Sequence, residues 1–348
     1  MYLPLNGSVY SQTAYTALFG IIGLISGSFA EVWAAATSNA GSNAINAVET
    51  DGNGVWVAAG AAGAMLRSTD NGEAWRAVTS GFGATAVCDR NGIWIAVGNT
   101  VITRSANGSA TWTSVRTPST SNNTLINVAT NRAGVFVATK AGNLGAFYVV
   151  RSVEEGLTWT LFNITGVGSN TTSSIATNRR GTWITNSGSS TTQYRLIDDG
   201  ATWSAIVTAV AFGQVATDGN GAWVGIGSST TVARSIDNGL TWQAYILAVA
   251  ASNTFVTTDG KGTYLVSSAA STTSKSQDGG MTWQAVTHGL SPRQCSAFEK
   301  DGVCVIGGAA GVLRKSVLTY GYDTATQFKL PNQFAAIGLA AYIKAKNA

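Results

Sequence analysis

Short runs of alternating apolar and polar residues, separated by polar turns, recur along most of the chain. In the first clear unit, "AINAVETD" and "VWVAAG" flank a Gly-Asn-Gly turn, and "AMLRS" and "WRAVTS" flank the turn "TDNGEA". Runs of this length and alternation, bounded by Gly, Asn and Asp, are typical of β-strands joined in hairpins. The unit therefore predicts four strands, and the region shows no helical periodicity that would favour a helical repeat.

Two sequence markers show that this unit is repeated. The phrase "RSTDNGEAW" begins at Arg67 and recurs in altered form, with its Ser position at 68, 105, 152, 196, 235, 276 and 316. A second marker, Gly followed two residues later by an aromatic residue, keeps the same spacing, as in "NGVWVAAG" and "NGIWIAVG". Both markers count seven, and four strands in about 40 residues is the size of one β-propeller blade. We therefore predict an all-β, seven-bladed β-propeller over residues 31–319.

The seventh copy of the repeat lacks the Trp that ends the phrase in the other six. Trp33, in "EVWAAAT", stands outside every copy. We therefore predict that the segment Glu31–Thr37 supplies the outer strand of the seventh blade and that Trp33 lies beside the segment near Ser316. Closing a ring in this way removes exposed sheet edges, which promote aggregation.

The repeated phrase resembles the Asp box, S-x-D-x-G-x-T-W, found on the blades of sialidases and related propellers. Its Asp can accept backbone N–H groups of a hairpin turn, its Gly can adopt a positive φ, and its Trp can be buried between blades. Because the second and third copies contain Asn107–Gly108 and Glu154–Glu155, we expect their turns to be distorted. The predicted structural residues of the boxes are Ser68, Asp70, Gly72, Trp75, Trp112, Trp159, Asp198, Trp203, Asp237, Gly239, Trp242, Asp278, Gly280 and Trp283.

The two ends of the chain are unlike the repeat. "YLPLNGSVYSQTAYTALFGIIG" (2–23) and "YGYDTATQFKLPN" (320–332), followed by "AAYIKAKN", resemble the two halves of a phage tail-collar domain. The resemblance implies a small α+β attachment domain, split between residues 1–30 and 320–348, and residues 10–24 fit a helix. The alternative is that both ends are packing extensions of the propeller. The collar-like residues are Asn6, Gly7, Tyr15, Leu18, Phe19, Gly23, Phe328, Leu330, Pro331 and Asn332.

Composition and charge exclude several classes of function. Only 11% of the residues are charged and the net charge of +4 is spread out, so a nucleic-acid partner is not expected. The apolar run "ALFGIIGLI" (17–25) is too short to span a bilayer and no Lys or Arg precedes it, so neither a membrane span nor a signal peptide is expected. Three Cys and a single His favour neither a disulfide framework nor a His-based metal site or triad.

The resemblance to sialidases makes glycoside hydrolysis the natural enzymatic hypothesis. Sialidases gather three arginines at one site, whereas the arginines here precede each box and are distributed around the ring. No unassigned pair of carboxylates suggests glycoside cleavage. We therefore predict no catalytic residue, no cofactor and no metal site.

The tail-collar resemblance implies a bacteriophage virion protein of the tail, collar or fibre apparatus, made in the host cytoplasm. Its terminal domain would attach to other virion proteins, and its propeller would serve host adhesion or decoration, with a host surface glycan as one candidate ligand. Tail-collar relatives also imply a homo-oligomer, with a trimer favoured. A sialidase-like glycan-binding or glycan-hydrolysing propeller is the alternative, and a host-type assembly factor is a third. The sequence does not indicate which residues bind a receptor.

Overall fold

The structure is a computed structural model of the chain. It describes residues 2–4, 9–11, 29–36, 43–78, 85–88, 91–98, 100–115, 124–140, 147–164, 174–186, 190–200, 202–227, 230–249, 253–268, 272–288, 293–299, 303–320, 327–329 and 342–344. By its contacts the chain divides into two compact units, Trp33–Lys315 and a terminal unit of Met1–Val32 with Ser316–Ala348. The larger unit is slightly shorter than the predicted 31–319.

The strands between residues 29 and 320 form a seven-bladed β-propeller in which each blade is a four-stranded sheet. The strands of blades 1 to 4 are β4 (Ile45–Thr50), β5 (Trp56–Gly60), β6 (Met65–Ser68) and β7 (Arg76–Ala77); β8 (Thr85–Cys88), β9 (Trp94–Gly98), β10 (Val101–Ser105) and β11 (Thr113–Val115); β12 (Leu125–Thr130), β13 (Phe136–Lys140), β14 (Phe147–Ser152) and β15 (Thr160–Ile164); and β16 (Ile175–Thr177), β17 (Trp183–Asn186), β18 (Ser190–Ile197) and β19 (Thr202–Phe212).

The strands of blades 5 to 7 follow the same order. They are β20 (Gln214–Thr217), β21 (Trp223–Ile226), β22 (Thr231–Ser235) and β23 (Gln243–Ile246); β24 (Asn253–Thr258), β25 (Tyr264–Ser268), β26 (Thr272–Ser276) and β27 (Gln284–Thr287); and β28 (Arg293–Phe298), β29 (Cys304–Gly308), β30 (Leu313–Tyr320) and β3 (Phe29–Ala35). Short 3-10 turns occur at Ala61–Gly63, Asp198–Gly200 and Ala309–Gly311. The predicted all-β, seven-bladed architecture is confirmed.

The seventh blade takes its outer strand from the beginning of the chain. Strand β3 pairs with β30, so the order in this sheet is β28-β29-β30-β3. The backbone N–H of Ala36, just after β3, donates to the carbonyl oxygen of Leu313 at 3.1 Å. Each innermost strand also contacts the innermost strand of the next blade, and β28 contacts β4. The ring is therefore continuous.

The hydrophobic core of the propeller lies between the blades. Each of the seven blade interfaces contains a cluster of buried apolar side chains drawn from both neighbours. The second marker of the repeat contributes one residue to each cluster. Its aromatic side chain, or Cys304 in blade 7, starts the second strand of the blade and is at most 1% exposed. These residues are Trp56, Trp94, Phe136, Trp183, Trp223, Tyr264 and Cys304.

The terminal unit contains strands from both ends of the chain. β1 (Tyr2–Pro4) pairs with β32 (Tyr342–Lys344), and β2 (Val9–Ser11) pairs with β31 (Gln327–Lys329), both antiparallel. The helix expected over residues 10–24 begins too early, since residues 10 and 11 belong to β2, and its remainder lies outside the described residues. Among the residues described, no helix is long and apolar enough to cross a membrane.

Deleting residues 1–37 should open the ring, because it removes β3 and leaves one edge of β30 without a partner strand. We expect loss of the single cooperative transition in thermal unfolding followed by circular dichroism. Deleting residues 1–28 is the matched control, since it leaves β3 in place. A chain without residues 1–37 that still melts sharply at an unchanged temperature would contradict this closure.

Candidate functional site: the channel and the turn face

A cavity of about 610 Å³ lies at the centre of the propeller and is lined mainly by the innermost strands of the blades. Its wall combines polar residues, such as Asn46, Asn127 and Gln214, with apolar ones such as Val128 and Phe255, and Glu49 of β4 contributes a carboxylate. At one end the lining includes charged residues of the turns that follow these strands, namely Arg132, Arg179, Asp218, Asp259 and Lys261. The channel is therefore wide and polar enough for a polar ligand.

Two kinds of turn lie side by side at this end of the blades. The turn between the first and second strands of a blade is called here the inner turn, and the turn between the third and fourth strands, which contains the Asp box, the box turn. In each of blades 1 to 6 a backbone N–H of the box turn donates to the carbonyl oxygen of a Gly in the inner turn, for example Asn71 to Gly54 at 3.1 Å. The two sets of turns together form one surface, the turn face.

The box turns are held by the side chains that the motif predicts. In blade 5 the Ser235 hydroxyl donates to Asp237 Oδ1 at 2.7 Å and accepts from the backbone N–H of Gly239 at 2.9 Å. Asp237 Oδ1 accepts from the N–H groups of Leu240 and Thr241 at 3.1 and 2.9 Å. Blade 6 repeats this arrangement, and blade 1 repeats the Ser68 and Asp70 contacts. The predicted Ser and Asp residues of these boxes thus hold their own turns.

The expected distortion of the second and third box turns was wrong. In blade 2 the side-chain oxygen of Asn107 accepts from the N–H of Thr111 at 3.0 Å, as the Asp does elsewhere. Ser109 takes the position of the Gly with a φ of 65°. In blade 3 the N–H of Gly156 donates to the Ser152 hydroxyl at 2.9 Å. An amide oxygen can replace a carboxylate oxygen as acceptor, so the turn keeps its geometry without the charge.

The fourth box turn is the one that differs. Leu196 stands where the other boxes have Ser, so no hydroxyl can organise the turn. Asp198 and Asp199 have φ values of 60° and 50° within a 3-10 turn. Asp199 Oδ1 accepts from the side-chain amide of Asn131 in blade 3 at 3.1 Å. The carboxylate of Asp199, next to the predicted Asp198, therefore provides one of the contacts between blades 3 and 4.

The Gly and the Trp of each box contact the preceding blade. A Cβ at Gly239 would overlap Ile184 of blade 4, and one at Gly72 would lie 3.1 Å from Val305 of blade 7. The ring of Trp242 lies 4.9 Å, between centroids, from that of Phe212 in blade 4. The other predicted box tryptophans, Trp75, Trp112, Trp159, Trp203 and Trp283, likewise belong to or pack against the cluster shared with the preceding blade. Gly is therefore favoured both by its positive φ and by the close approach of the neighbouring blade, although blade 2 has Ser109 at this position.

The Arg that begins each phrase contacts the following blade, which the sequence did not reveal. Its Nε donates to a backbone carbonyl oxygen in the next box turn, as from Arg151 to Asp199 at 2.5 Å and from Arg234 to Gly279 at 2.6 Å. Arg67, Arg104 and Arg195 make the equivalent bonds to Gly108, Glu155 and Asn238. These five arginines lie at five successive interfaces and do not converge on one point. The regular spacing of these arginines along the sequence is the pattern that corresponds to their contacts between blades.

The remaining predicted residues fall into two groups. Trp33 lies in β3 and Ser316 lies in β30, the two strands that pair in blade 7. Of the collar-like residues, Phe328 lies in β31, and the others lie outside the described residues. Within the described part of the chain, no group of three or more His, Cys, Asp or Glu residues could hold a metal ion.

Comparisons with known proteins support the fold alone. No family model matches the chain, and no curated protein matches it. Among solved structures it is similar to "YCF48 bound to D1 peptide", with a TM-score of 0.66 and 16% identity over 82% of this chain and 96% of that one. "YCF48 from Cyanidioschyzon merolae" gives a TM-score of 0.63 and 15% identity over 82% and 98%. The WD40 repeats of RRP9 give 0.69 and 10% over 83% and 98%. The chain thus has the general fold of WD40-like and YCF48-like propellers.

The box aspartates make stability depend on pH. A hydrogen bond from the Ser68 hydroxyl lowers the pKa of Asp70. Partial burial raises the pKa values of Asp237 and Asp278, but hydrogen bonds from Thr241 and Thr282 outweigh it, so both are also lowered. Lowered pKa values stabilise the fold above the unfolded pKa of about 3.9, and this stabilisation is lost as pH falls through the folded values.

Replacing Asp70, Asp237 and Asp278 together by Asn, the residue that blade 2 carries, should therefore reduce the loss of stability in acid. Urea unfolding at pH values on either side of about 4 measures the change in the free energy of unfolding. An equal loss of stability in the wild type and in the triple variant would show that these carboxylates do not contribute.

Substituting Met for Arg151 should destabilise the propeller, because the aliphatic stem stays while the hydrogen bond to Asp199 is lost. We expect a cost of about 1.5–3 kcal/mol, as for hydrogen bonds to charged groups. Arg180, whose exposed guanidinium donates to the Asn220 side chain, is the matched control, and its replacement should change stability by less than about 0.5 kcal/mol. Equal losses of stability on replacing Arg151 and Arg180 would contradict the conclusion that the repeated arginines link the blades.

Proposed function

We propose that this chain is a structural protein of a bacteriophage virion, in the tail, collar or fibre apparatus. Its terminal unit would attach to other virion proteins, and its propeller would be presented for host adhesion or decoration. The observation that supports this proposal is the pairing of the two chain ends. β1 pairs with β32 and β2 with β31 in a compact unit of their own, so the propeller is inserted into the unit that carries the collar-like motif.

The use of the repeat residues supports a binding role over a catalytic one. Hydrolysis by a sialidase-like mechanism needs arginines gathered around one substrate carboxylate. Arg67, Arg104, Arg151, Arg195 and Arg234 each donate to a different box turn. The box carboxylates of Asp70, Asp237 and Asp278 accept N–H groups of their own turns. YCF48, which is similar to this chain in fold, has been solved bound to a D1 peptide. This similarity also favours a protein-binding role.

Mass spectrometry of purified virions, from a host culture that produces the phage encoding this chain, tests the proposal. We expect the chain to co-purify with tail proteins through a density gradient, in a constant ratio to them. The soluble fraction of the same lysate is the control. A chain found in the soluble fraction and absent from purified virions would overturn the proposal.

The terminal unit should also set the oligomeric state. We expect the full chain to be a multimer in light scattering, with a trimer favoured, and the fragment 29–320, which keeps both strands that close the ring, to be a monomer. The physical reason is that small units have too little core of their own and gain stability by association. A multimeric 29–320 fragment would assign assembly to the propeller instead.

A further inference from the structure

Asn followed directly by Gly recurs in the turns of the blades. In such a pair the backbone nitrogen of Gly can attack the side-chain carbonyl carbon of Asn, because Gly has no Cβ to hinder the approach. The attack releases ammonia and closes a succinimide ring, which water opens to Asp or isoaspartate. The pair occurs seven times in the sequence, at Asn6, Asn53, Asn71, Asn91, Asn107, Asn220 and Asn238. The structure around each pair decides how readily this deamidation takes place.

The box turns hold the attacking nitrogen in a hydrogen bond. In blades 1 and 5 the N–H groups of Gly72 and Gly239 donate to the hydroxyl oxygen of the box Ser at 3.0 and 2.9 Å. In blade 2 the N–H of Gly108 donates to the carbonyl oxygen of Gly92 at 3.2 Å. Each nitrogen must leave its acceptor before it can approach the preceding Asn side chain. The box turns therefore protect their Asn-Gly pairs, since the reaction needs the two atoms in close and aligned contact.

The inner turn of blade 5 leaves the corresponding nitrogen without an acceptor. Asn220 is exposed, and its own N–H and that of Ala222 donate to Asp218 Oδ1 at 2.7 and 3.1 Å. Between them, the N–H of Gly221 has no acceptor among the residues that the structure describes. No existing hydrogen bond therefore has to break before the Gly221 nitrogen attacks the Asn220 side chain.

A guanidinium group from the preceding blade contacts the side chain of Asn220. Arg180 Nη2 donates to Asn220 Oδ1 at 3.0 Å. Because Arg can only donate, the atom that it contacts is the carbonyl oxygen of the carboxamide. Arg180 occupies in blade 4 the position that Asn220 occupies in blade 5, whereas Asp301 and Asn53 occupy it in the blades before Asn53 and Asn91. Of these three inner-turn pairs, Asn220-Gly221 is thus the one that follows a blade with a cation at this position.

We propose that Asn220-Gly221 is a self-modification site, at which the chain deamidates with the assistance of Arg180. Attack by the Gly221 nitrogen moves negative charge onto Asn220 Oδ1, and the hydrogen bond from Arg180 stabilises this oxyanion. The bond from the Gly221 nitrogen to Cγ forms, and the proton of that nitrogen passes through solvent to the amide nitrogen of Asn220. The bond from Cγ to Nδ2 then breaks as ammonia leaves. Water adds to either carbonyl of the succinimide, so Asp and isoaspartate form without any oxidation or reduction.

The two products change the turn face in different ways. The Asp product places a carboxylate against Arg180, so a hydrogen bond between blades 4 and 5 becomes an ion pair. The isoaspartate product adds a methylene to the backbone between the two N–H groups that Asp218 accepts, so these bonds cannot both keep their present geometry. An aged chain therefore differs from a new one in charge and in turn structure at blade 5. This inference goes beyond the proposed function and does not depend on it.

Incubation of the full chain in mildly alkaline heavy-oxygen water, followed by digestion in ordinary water and peptide mapping by mass spectrometry, tests the proposal. The heavy oxygen enters when water opens a succinimide, so it marks each Asn that has been converted. We expect Asn220 to be labelled about tenfold faster than Asn238 of the same blade, because Asn220 has both the unbound nitrogen and the oxyanion donor. Asn53, whose following nitrogen is also unbound, should be labelled more slowly than Asn220.

Two variants separate the two causes. Arg180→Met keeps the aliphatic stem and removes the donor, so labelling of Asn220 should slow by about tenfold while labelling of Asn53 is unchanged. Ser235→Ala removes the acceptor of the Gly239 N–H, so labelling of Asn238 should become faster. Asn71, whose turn still has its Ser, is the internal control for a general opening of the fold and should keep its rate. Thermal melting of each variant before incubation verifies that it is folded.

Labelling of Asn220 that is no faster than that of Asn238 in the wild type would overturn the proposal. Labelling of Asn220 that is equally fast in Arg180→Met and in the wild type would also overturn it, because the guanidinium would then play no part in the reaction. Virion incorporation is measured separately, and neither of these results bears on it.

Discussion

The packing of each blade against the next is the interaction on which the structure depends. Among the described residues, buried apolar side chains form a cluster between each pair of neighbouring blades, and the centre of the ring is a channel lined by both polar and apolar residues. A four-stranded sheet with two apolar faces cannot bury both by itself, so each blade needs two neighbours. Ring closure by β3 is therefore as important as any single interface, because it completes blade 7 where that blade faces blade 1.

The repeated phrase links three consecutive blades. In blade 5, Arg234 donates to the carbonyl of Gly279 in blade 6, and Ser235 and Asp237 hold their own turn. Trp242 packs against Phe212 of blade 4. The nine residues of the phrase thus contact the following blade, their own turn and the preceding blade. This explains why the phrase recurs although it forms no single site.

Specificity must then come from positions where the repeat departs from its own pattern. The polar groups that recur in the boxes are occupied by hydrogen bonds within their own turns and to the next blade. Asn131 and Asn178 of the inner turns also donate to the box turn of the next blade, whereas the aliphatic side chains at the second and sixth positions of the box turns in blades 3 to 6 are exposed. A repeat protein can change exposed positions one blade at a time, so the turns of a nearly symmetric ring can differ from blade to blade.

Local features of this chain were readable from its sequence because they recur at fixed spacing. Alternation predicted the strands, two repeated markers that each count seven predicted the number of blades, and the unassigned Trp33 indicated where the ring closes. Contacts between blades were not readable, because the partners of Arg67, Arg104, Arg151, Arg195 and Arg234 lie in the next copy of the repeat and have no motif of their own. For the same reason the box Gly was assigned to its φ alone, although Ile184 and Val305 also exclude a side chain at Gly239 and Gly72. Sequence therefore determined the blade, and only the tertiary structure decided how blades hold one another, since that depends on surfaces that meet only when the ring is closed.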